Sequence, residues 1–222
     1  VKSSSAEIVY DDSLPYPATV FTMQAADRQW QFVRPTEPDT VLNALTDEQF
    51  ERDEQLPYWA DHWPAADVLA RYASRAHFGS GRRVCELGCG LGVVAALVAS
   101  SASLMVATDI SPAGCRFAAA NAALNGSTTA TVCADWRNPP FSAPFDCVVG
   151  ADLLYEHRWI EPVLSAIAEL LTPEGIALVA DPCRRHWRSF QHRARQRAMA
   201  PRLVHRERVN DGRTAVEIVA LS

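Results

Sequence analysis

The sequence predicts an α/β fold: a doubly wound, mostly parallel, seven-stranded Rossmann-like sheet ending in an antiparallel hairpin, with a small N-terminal extension. Three observations carry that prediction. Strand-like apolar runs alternate with helical stretches from residue 83 onward. The first of these strands runs straight into a glycine turn, in "VCELGCGLGVVAALVA" from Val84. The last two strand-like runs follow each other with no helix between them.

Taken in order, "ATVFTM" (18–23) and "QWQFVRP" (29–35) can pair as a hairpin, and "DTVLNAL" (39–45) suits a short helix. Residues 1–55 are expected to form a cap or edge element, and residues 56–222 the main domain. A helix over "WPAADVLARYASRA" (63–76) leads into the sheet. The parallel strands are expected at "RVCEL" (83–87), "LMVATD" (104–109), "ATVCAD" (130–135), "FDCVVGAD" (145–152) and "GIALVAD" (175–181). Several are near-continuous apolar runs, as strands covered on both faces must be. Helices are expected in the intervening "GVVAALVASSA", "SPAGCRFAAANAALNG" and "WIEPVLSAIAELLTPEG". The last repeats apolar residues at Val163, Leu164, Ile167, Leu170 and Leu171, and "TPEG" is read as its stop. An Arg-rich helical stretch follows. Then "RLVHRERV" (202–209), the turn "NDGR" and "TAVEIVAL" (214–221) read as the closing hairpin.

Composition narrows the class. At 222 residues, 48% apolar and 21% charged, the chain resembles an ordinary soluble globular domain. No apolar run approaches the ~20 residues that span a bilayer. The opening stretch "VKSSSAEIVYDDSLPYP" holds no apolar core of a secretory signal, so a cytoplasmic protein with no membrane partner is expected. The six cysteines form no CxxC pair and no zinc spacing. Buried free thiols, and no metal, are the expectation. The net charge of −5 is unevenly spread: "DEQFERDEQ" (47–55) is acidic, while residues 183–208 hold nine arginines against one glutamate. That Arg-rich 184–208 stripe could touch nucleic acid or an acidic protein. Arginine outnumbers lysine throughout the chain, however, and a solvated helix face accounts for the stripe without a nucleic-acid partner.

The glycine turn specifies its ligand. Gly88, Gly90 and Gly92 follow the strand, and Val93 stands where a dinucleotide fingerprint would place its last glycine. Glu86 lies two residues before the first glycine. A carboxylate there is a poor neighbour for a diphosphate and a good partner for an ammonium group. S-adenosylmethionine meets those demands, with an amino-acid cation, a ribose, an adenine and no phosphate. Asp109 ends the second strand, where a carboxylate can take both ribose hydroxyls. Asp135 and Trp136 follow the third strand, where an acid can accept from the adenine amino group and an indole can pack on the ring. Three acids at three consecutive strand ends make one pocket.

Two later motifs compete for the catalytic role. "NPPF" (138–141) resembles the motif of enzymes that methylate planar amino groups, but it precedes the fourth strand instead of following it. It is read as a rigid loop. The position after that strand holds "ADLLYE" (151–156). Asp152-Leu-Leu-Tyr155 resembles the (D/E)xx(Y/F) motif of the family 16 seven-β-strand methyltransferases, a group that includes many protein-lysine methyltransferases. "ELGCGLG" resembles the family's first motif, "DW" (135–136) its adenine-side pair, and "HWPAADVLARYA" (62–73) its leading helix. "LPYWADHWPAADVLARY" (56–72) is similar to bacterial relatives of the electron-transfer flavoprotein β-subunit lysine methyltransferases. The similarity covers about residues 56–182.

That resemblance implies catalytic roles for Asp152 and Tyr155, and cofactor contacts from Trp63, Ile110 and Ala151 beside the glycine turn and the acids already named. It implies an S-adenosylmethionine-dependent transfer to an amine, probed best as a lysine of a protein substrate, with S-adenosylhomocysteine as product. A small-molecule amine is the alternative acceptor, and a weakly catalytic cofactor- or RNA-binding module is the alternative of another class. His157 stands beside the motif as a candidate proton acceptor, and the role of Trp59 is left open. The chemistry sets one condition: a lysine of pKa ~10.4 is neutral only about once in 10³ near neutral pH. A carboxylate there favours the charged form, so Asp152 is expected to position the amine and not to deprotonate it.

Overall fold

The computed structural model describes residues 8–9, 13–43 and 56–222. The acidic stretch 47–55 and the end of the expected helix at 39–45 lie outside the described residues.

Among the described residues, seven strands form one sheet: β4 (Arg83–Leu87), β5 (Leu104–Asp109), β6 (Ala130–Cys133), β7 (Phe145–Ala151), β8 (Leu171–Asp181), β9 (Arg202–Val209) and β10 (Thr214–Leu221). Their order is β6-β5-β4-β7-β8-β10-β9. The first five pair in parallel, and β10 runs antiparallel to both β8 and β9. Order reverses between β4, which starts the series, and its neighbours β5 and β7, and an open α/β sheet places its ligand crevice at such a point.

Alternation along each strand sends neighbouring residues to opposite faces. Val84 joins one buried cluster while Cys85 and Leu87 join the other, and in β8 Leu178 and Ala180 oppose Ala177 and Val179. Both faces are apolar, which is why the strands read as continuous apolar runs. One face is covered by α2 (Pro64–Arg75), α3 (Val93–Val98) and α4 (Pro112–Leu124), the other by α5 (Ile160–Leu170) and α6 (Trp187–Gln196).

Three boundaries differ from the sequence reading. The segment "TPEG" does not stop the helix; α5 ends at Leu170, and Leu171 already pairs with Phe145 as the start of β8. The ladder shifts register between Phe145 and Cys147, which absorbs the extra residues. Strand β6 stops at Cys133, and Asp135 sits in the loop beyond it. Strand β7 stops at Ala151, because Asp152 turns the chain with a φ of +59°.

The N-terminal segment forms β1 (Ile8–Val9), β2 (Ala18–Ala25) and β3 (Arg28–Pro35) in an antiparallel sheet, followed by α1 (Pro38–Asn43). Two asparagines four residues apart, Asn121 in α4 and Asn125 at its C-cap, satisfy the outer edge of β3. Asn121 Oδ1 accepts the Val33 N–H at 2.7 Å while its amide donates to the carbonyls of Val33 and Leu91, each at 2.9 Å. Asn125 does the same for Gln31, at 3.1 Å and 2.6 Å. A helix thus serves as the missing strand, and the edge that would invite aggregation is closed. Because Leu91 lies in the glycine turn, Asn121 also ties the hairpin to the site.

All six cysteines are free. Cys85, Cys89, Cys115 and Cys147 are buried, whereas Cys133 and Cys183 are exposed, against the expectation of burial throughout. No helix among the described residues is long and apolar enough to cross a membrane.

Candidate active site

A cavity of about 580 Å³ opens at the carboxyl ends of β4, β5, β6 and β7, within the usual size for a small-molecule cleft. Its floor is the turn from β4 to α3. Gly88 and Gly90 line it, both in left-handed conformation. Gly92 also has positive φ, at +73°, but it does not line the cavity. A Cβ there would meet Ala118 Cβ at 2.7 Å and Cα at 2.9 Å. The absence of a side chain there lets α3 and α4 pack closely.

Glu86 and Asp109 reach the cavity from adjacent strands, and both are buried. Glu86 Oε2 accepts the Ala95 N–H at 2.8 Å. Burial pushes its pKa up to about 8; the Ala95 hydrogen bond opposes that and the charge of Asp109 adds to it. Asp109 is held by main chain on both oxygens, from Gly90 N–H to Oδ2 and from Ser111 N–H to Oδ1, each at 2.9 Å. Burial raises its pKa, and these N–H groups pull it back. Ile110 follows as an exposed apolar lip of the cavity.

The expected adenine side is reached by Asp135 and Trp136. Asp135 is already engaged: its oxygens take the Arg137 N–H at 2.8 Å and the Arg137 guanidinium at 2.6 Å. Trp136 lies over the turn, with its Cζ3 3.0 Å from where a Gly88 Cβ would stand. It meets Trp159 edge-on, with ring centroids 5.6 Å apart. Trp159 is buried, lines the cavity, and its Nε1 has no hydrogen-bond partner among the described residues. A buried indole N–H of this kind marks a place where a ligand acceptor is wanted.

Opposite, the segment before α2 closes over the turn. Trp59 lays its backbone on Gly90 and its ring against Gly114 and Phe117. Trp63 donates from Nε1 to the Tyr58 carbonyl at 2.7 Å and lines the cavity. Both tryptophans therefore belong to the wall.

Asp152 and Tyr155 complete the wall beside Ala151. The Asp152 N–H is fixed to the Ala180 carbonyl at 3.0 Å, and its Oδ2 accepts the Ala65 N–H of α2 at 3.2 Å. Trp63, at the N-cap position, offers that helix no side-chain bond, so Asp152 supplies the cap from a distant part of the chain. Its Oδ1 makes an ion pair with Arg184 Nη1 at 2.6 Å. Burial raises the Asp152 pKa and Arg184 lowers it. The Tyr155 ring sits 4.7 Å from Tyr58, and burial pushes its phenol pKa up.

Sequence reasoning missed Arg184 and Tyr58, both of which line the cavity. Two motifs stay outside it. The "NPPF" loop buttresses β7, with Phe141 edge-on to Phe145 at 5.2 Å, and His157 faces His186 with centroids 5.5 Å apart. Among the described residues, no three His, Cys, Asp or Glu side chains are grouped to hold a metal.

Strand order, a glycine turn after the first parallel strand and acids at successive strand ends give an open, mostly parallel α/β sheet with one acid-lined cavity at its carboxyl edge. Residues 84–175 match the family described as a methyltransferase domain. Among curated proteins, the chain is similar to the electron transfer flavoprotein beta subunit lysine methyltransferase of Danio rerio, 32% identical over 114 residues, 47% of this chain and 44% of that protein. The Rattus norvegicus protein of the same name is 29% identical over 153 residues, 64% of this chain and 58% of its own length. The matches thus span about half the length of these relatives. The fold is similar to that of the N-methyltransferase NodS from Bradyrhizobium japonicum in complex with S-adenosyl-L-homocysteine, with a TM-score of 0.58 at 16% identity, covering 83% of this chain and 97% of that one.

Proposed function

We propose that the chain is an S-adenosylmethionine-dependent methyltransferase acting on a lysine side chain of a protein substrate. The observation that carries the reading is that one cavity is shared by two sets of residues. Glu86, Asp109 and the glycine turn line one side, and Asp152 and Tyr155 line the other.

The cofactor fits what is there. Glu86 suits its ammonium, Asp109 its ribose diol, and the indoles of Trp136 and Trp159 its base. The residues offer no cationic cradle for a diphosphate at the turn. Asp135 serves the base side through its pairing with Arg137, which orders the loop. When bound, the cofactor supplies a sulfonium-activated methyl group. The chain then has to bring a neutral amine into line and keep water out. Asp152 can accept from that amine, and the rings of Tyr58, Tyr155 and Trp63 enclose an alkyl chain. The similarity of the chain to lysine methyltransferases supports lysine as the acceptor, with the β subunit of electron transfer flavoprotein as the first protein to test. The unit is taken as residues 56–222 with residues 1–55 as a cap, and the free thiols suit the reducing cytoplasm.

Purified protein incubated with radiolabelled S-adenosylmethionine and desalted lysate, beside Asp152→Ala, tests this. Label in a discrete protein band, lost in the variant, is the expected result. Label only in small molecules moves the acceptor to a free amine. No label despite cofactor binding overturns the catalytic reading.

A further inference from the structure

The acceptor side of the cavity already holds a cation, and it belongs to the chain. The turn from Asp181 to Arg184 aims it. Asp181 Oδ1 accepts the Arg184 backbone N–H at 2.7 Å, and Cys183 takes a strained φ of +56° to close the turn. The guanidinium then lies with Nη1 2.6 Å from Asp152 Oδ1 and 3.3 Å from Asp181 Oδ2. Its Cζ stands 5.5 Å from the centre of the Trp63 ring, within cation–π range. Asp181 is wholly buried and Asp152 nearly so, yet the Arg184 side chain keeps 24% of its surface exposed. Two sequestered carboxylates need a compensating charge, and here that charge sits on a side chain with a way out to solvent.

The chemistry of the occupant matters. A guanidinium stays protonated at any pH a protein tolerates, so it has no lone pair to offer an electrophilic methyl group. It can fill an amine's place without reacting.

We propose that Asp152, Asp181 and the Trp63 ring form a cation cage that first receives the methyl acceptor as its ammonium, which gives a proton to solvent before transfer, and that Arg184 is its tethered occupant, displaced when the acceptor enters. The cage gives the acceptor a chemical class, a primary alkylammonium. Only the word acceptor rests on the methyltransferase reading; the cage as a cation site stands apart from it.

The test uses the full chain carrying Arg184→Ala, with n-butylammonium chloride as the probe and sodium chloride at equal ionic strength as the control. Removing the occupant leaves two buried acids with main-chain donors but without their cation, so the melting midpoint falls below that of the natural chain. At about ten times its dissociation constant, n-butylammonium then raises the variant's midpoint by about 3–5 °C. The natural chain, in which the tethered Arg184 competes for the cage, shows a smaller rise, and Arg184→Ala combined with Asp152→Asn loses the response. If Arg184→Ala fails to fold, Arg184→Gln is measured in the same way. No butylammonium-specific rise in either variant, or an equal rise in the natural chain, overturns the cage. A rise in the variant with no methyl transfer by the natural chain keeps the cage and removes the methyltransferase reading. Methyl transfer to protein without any rise does the reverse.

Discussion

Asp109 and Asp152 are both buried acids at the ends of parallel strands, and both line the same cavity, yet they are held by different means. Main-chain N–H groups fix Asp109 on both oxygens, and those donors come from residues within the same two loops. Asp152 is held by one helix N–H and by an arginine side chain from the far end of β8. The side proposed to take the cofactor is therefore held by backbone, and the side proposed to take the acceptor is held partly by a side chain. Fixed and exchangeable halves suit a tightly placed donor and a transient acceptor.

The sharpest way to break the fixed half is at its packing. Gly92→Ala would set a Cβ 2.7 Å from Ala118 Cβ at a φ of +73°. A destabilisation of about 2–4 kcal/mol is expected, seen as a lower midpoint in thermal melts. Gly126→Ala is the control, since its φ of +67° is similar but a Cβ there meets nothing within 4 Å. That change should cost about 1 kcal/mol. Equal losses at the two sites would show that the backbone conformation, and not the contact between α3 and α4, constrains the turn.

Next comes the donor side itself. Asp109→Asn turns one acceptor oxygen into an amide that points a donor at a backbone donor. Affinity for S-adenosylhomocysteine should fall about 10- to 100-fold by calorimetry. Asp152→Asn should leave that affinity within about threefold, because its partners lie on the acceptor side. A matching loss in both variants would dissolve the distinction between the halves.

The same contrast governs what could be read from sequence. Glycine spacing and acids at successive strand ends are local patterns, so Glu86, Asp109 and the turn were legible before any coordinates. Alternating apolar faces made the sheet legible for the same reason. The packing demand at Gly92 was not legible, because a glycine needed for close helix packing looks the same in sequence as one needed for a ligand. Arg184 was hidden among the nine arginines of 183–208, and only the turn after β8 distinguishes it. The Asn121 and Asn125 pair did carry a signal, two asparagines four apart on an alanine-rich helix, but its meaning depends on which strand edge lies alongside. Long-range side-chain pairing leaves no period in a sequence.

Glu86 offers a smaller and more graded probe. With its pKa raised to about 8 from an ordinary 4.5, the folded protein holds a proton that the unfolded chain gives up. Its contribution to stability is therefore complete below about pH 4.5 and is lost as pH rises through about 8. A ligand ammonium asks for the opposite state, the ionised carboxylate. Cofactor binding near neutral pH should then release close to one proton, and affinity should rise up to about tenfold per pH unit before flattening near pH 8. Calorimetry in two buffers of different ionisation heat measures the proton directly. A pH-independent affinity would mean that the ammonium binds elsewhere.

The smallest effect belongs to the arginines that share a segment with Arg184 but not its surroundings. Arg197 Nη2 lies 2.6 Å from Glu161 Oε2 and its Nη1 donates to Ser165 Oγ at 3.0 Å, a closer set of contacts on paper than many buried pairs. Both charged side chains are open to solvent, 35% and 49% exposed, so water and salt screen most of that attraction. Arg197→Ala should cost no more than about 0.5 kcal/mol, and the difference should shrink further between about 0.05 and about 0.5 M salt. Methyl transfer should be unchanged. A loss of activity without a loss of stability would instead make the outer face of α5 and α6 part of the substrate's landing surface, and the Arg-rich segment would then have to be read as one functional unit and not as one half-buried arginine with solvated neighbours.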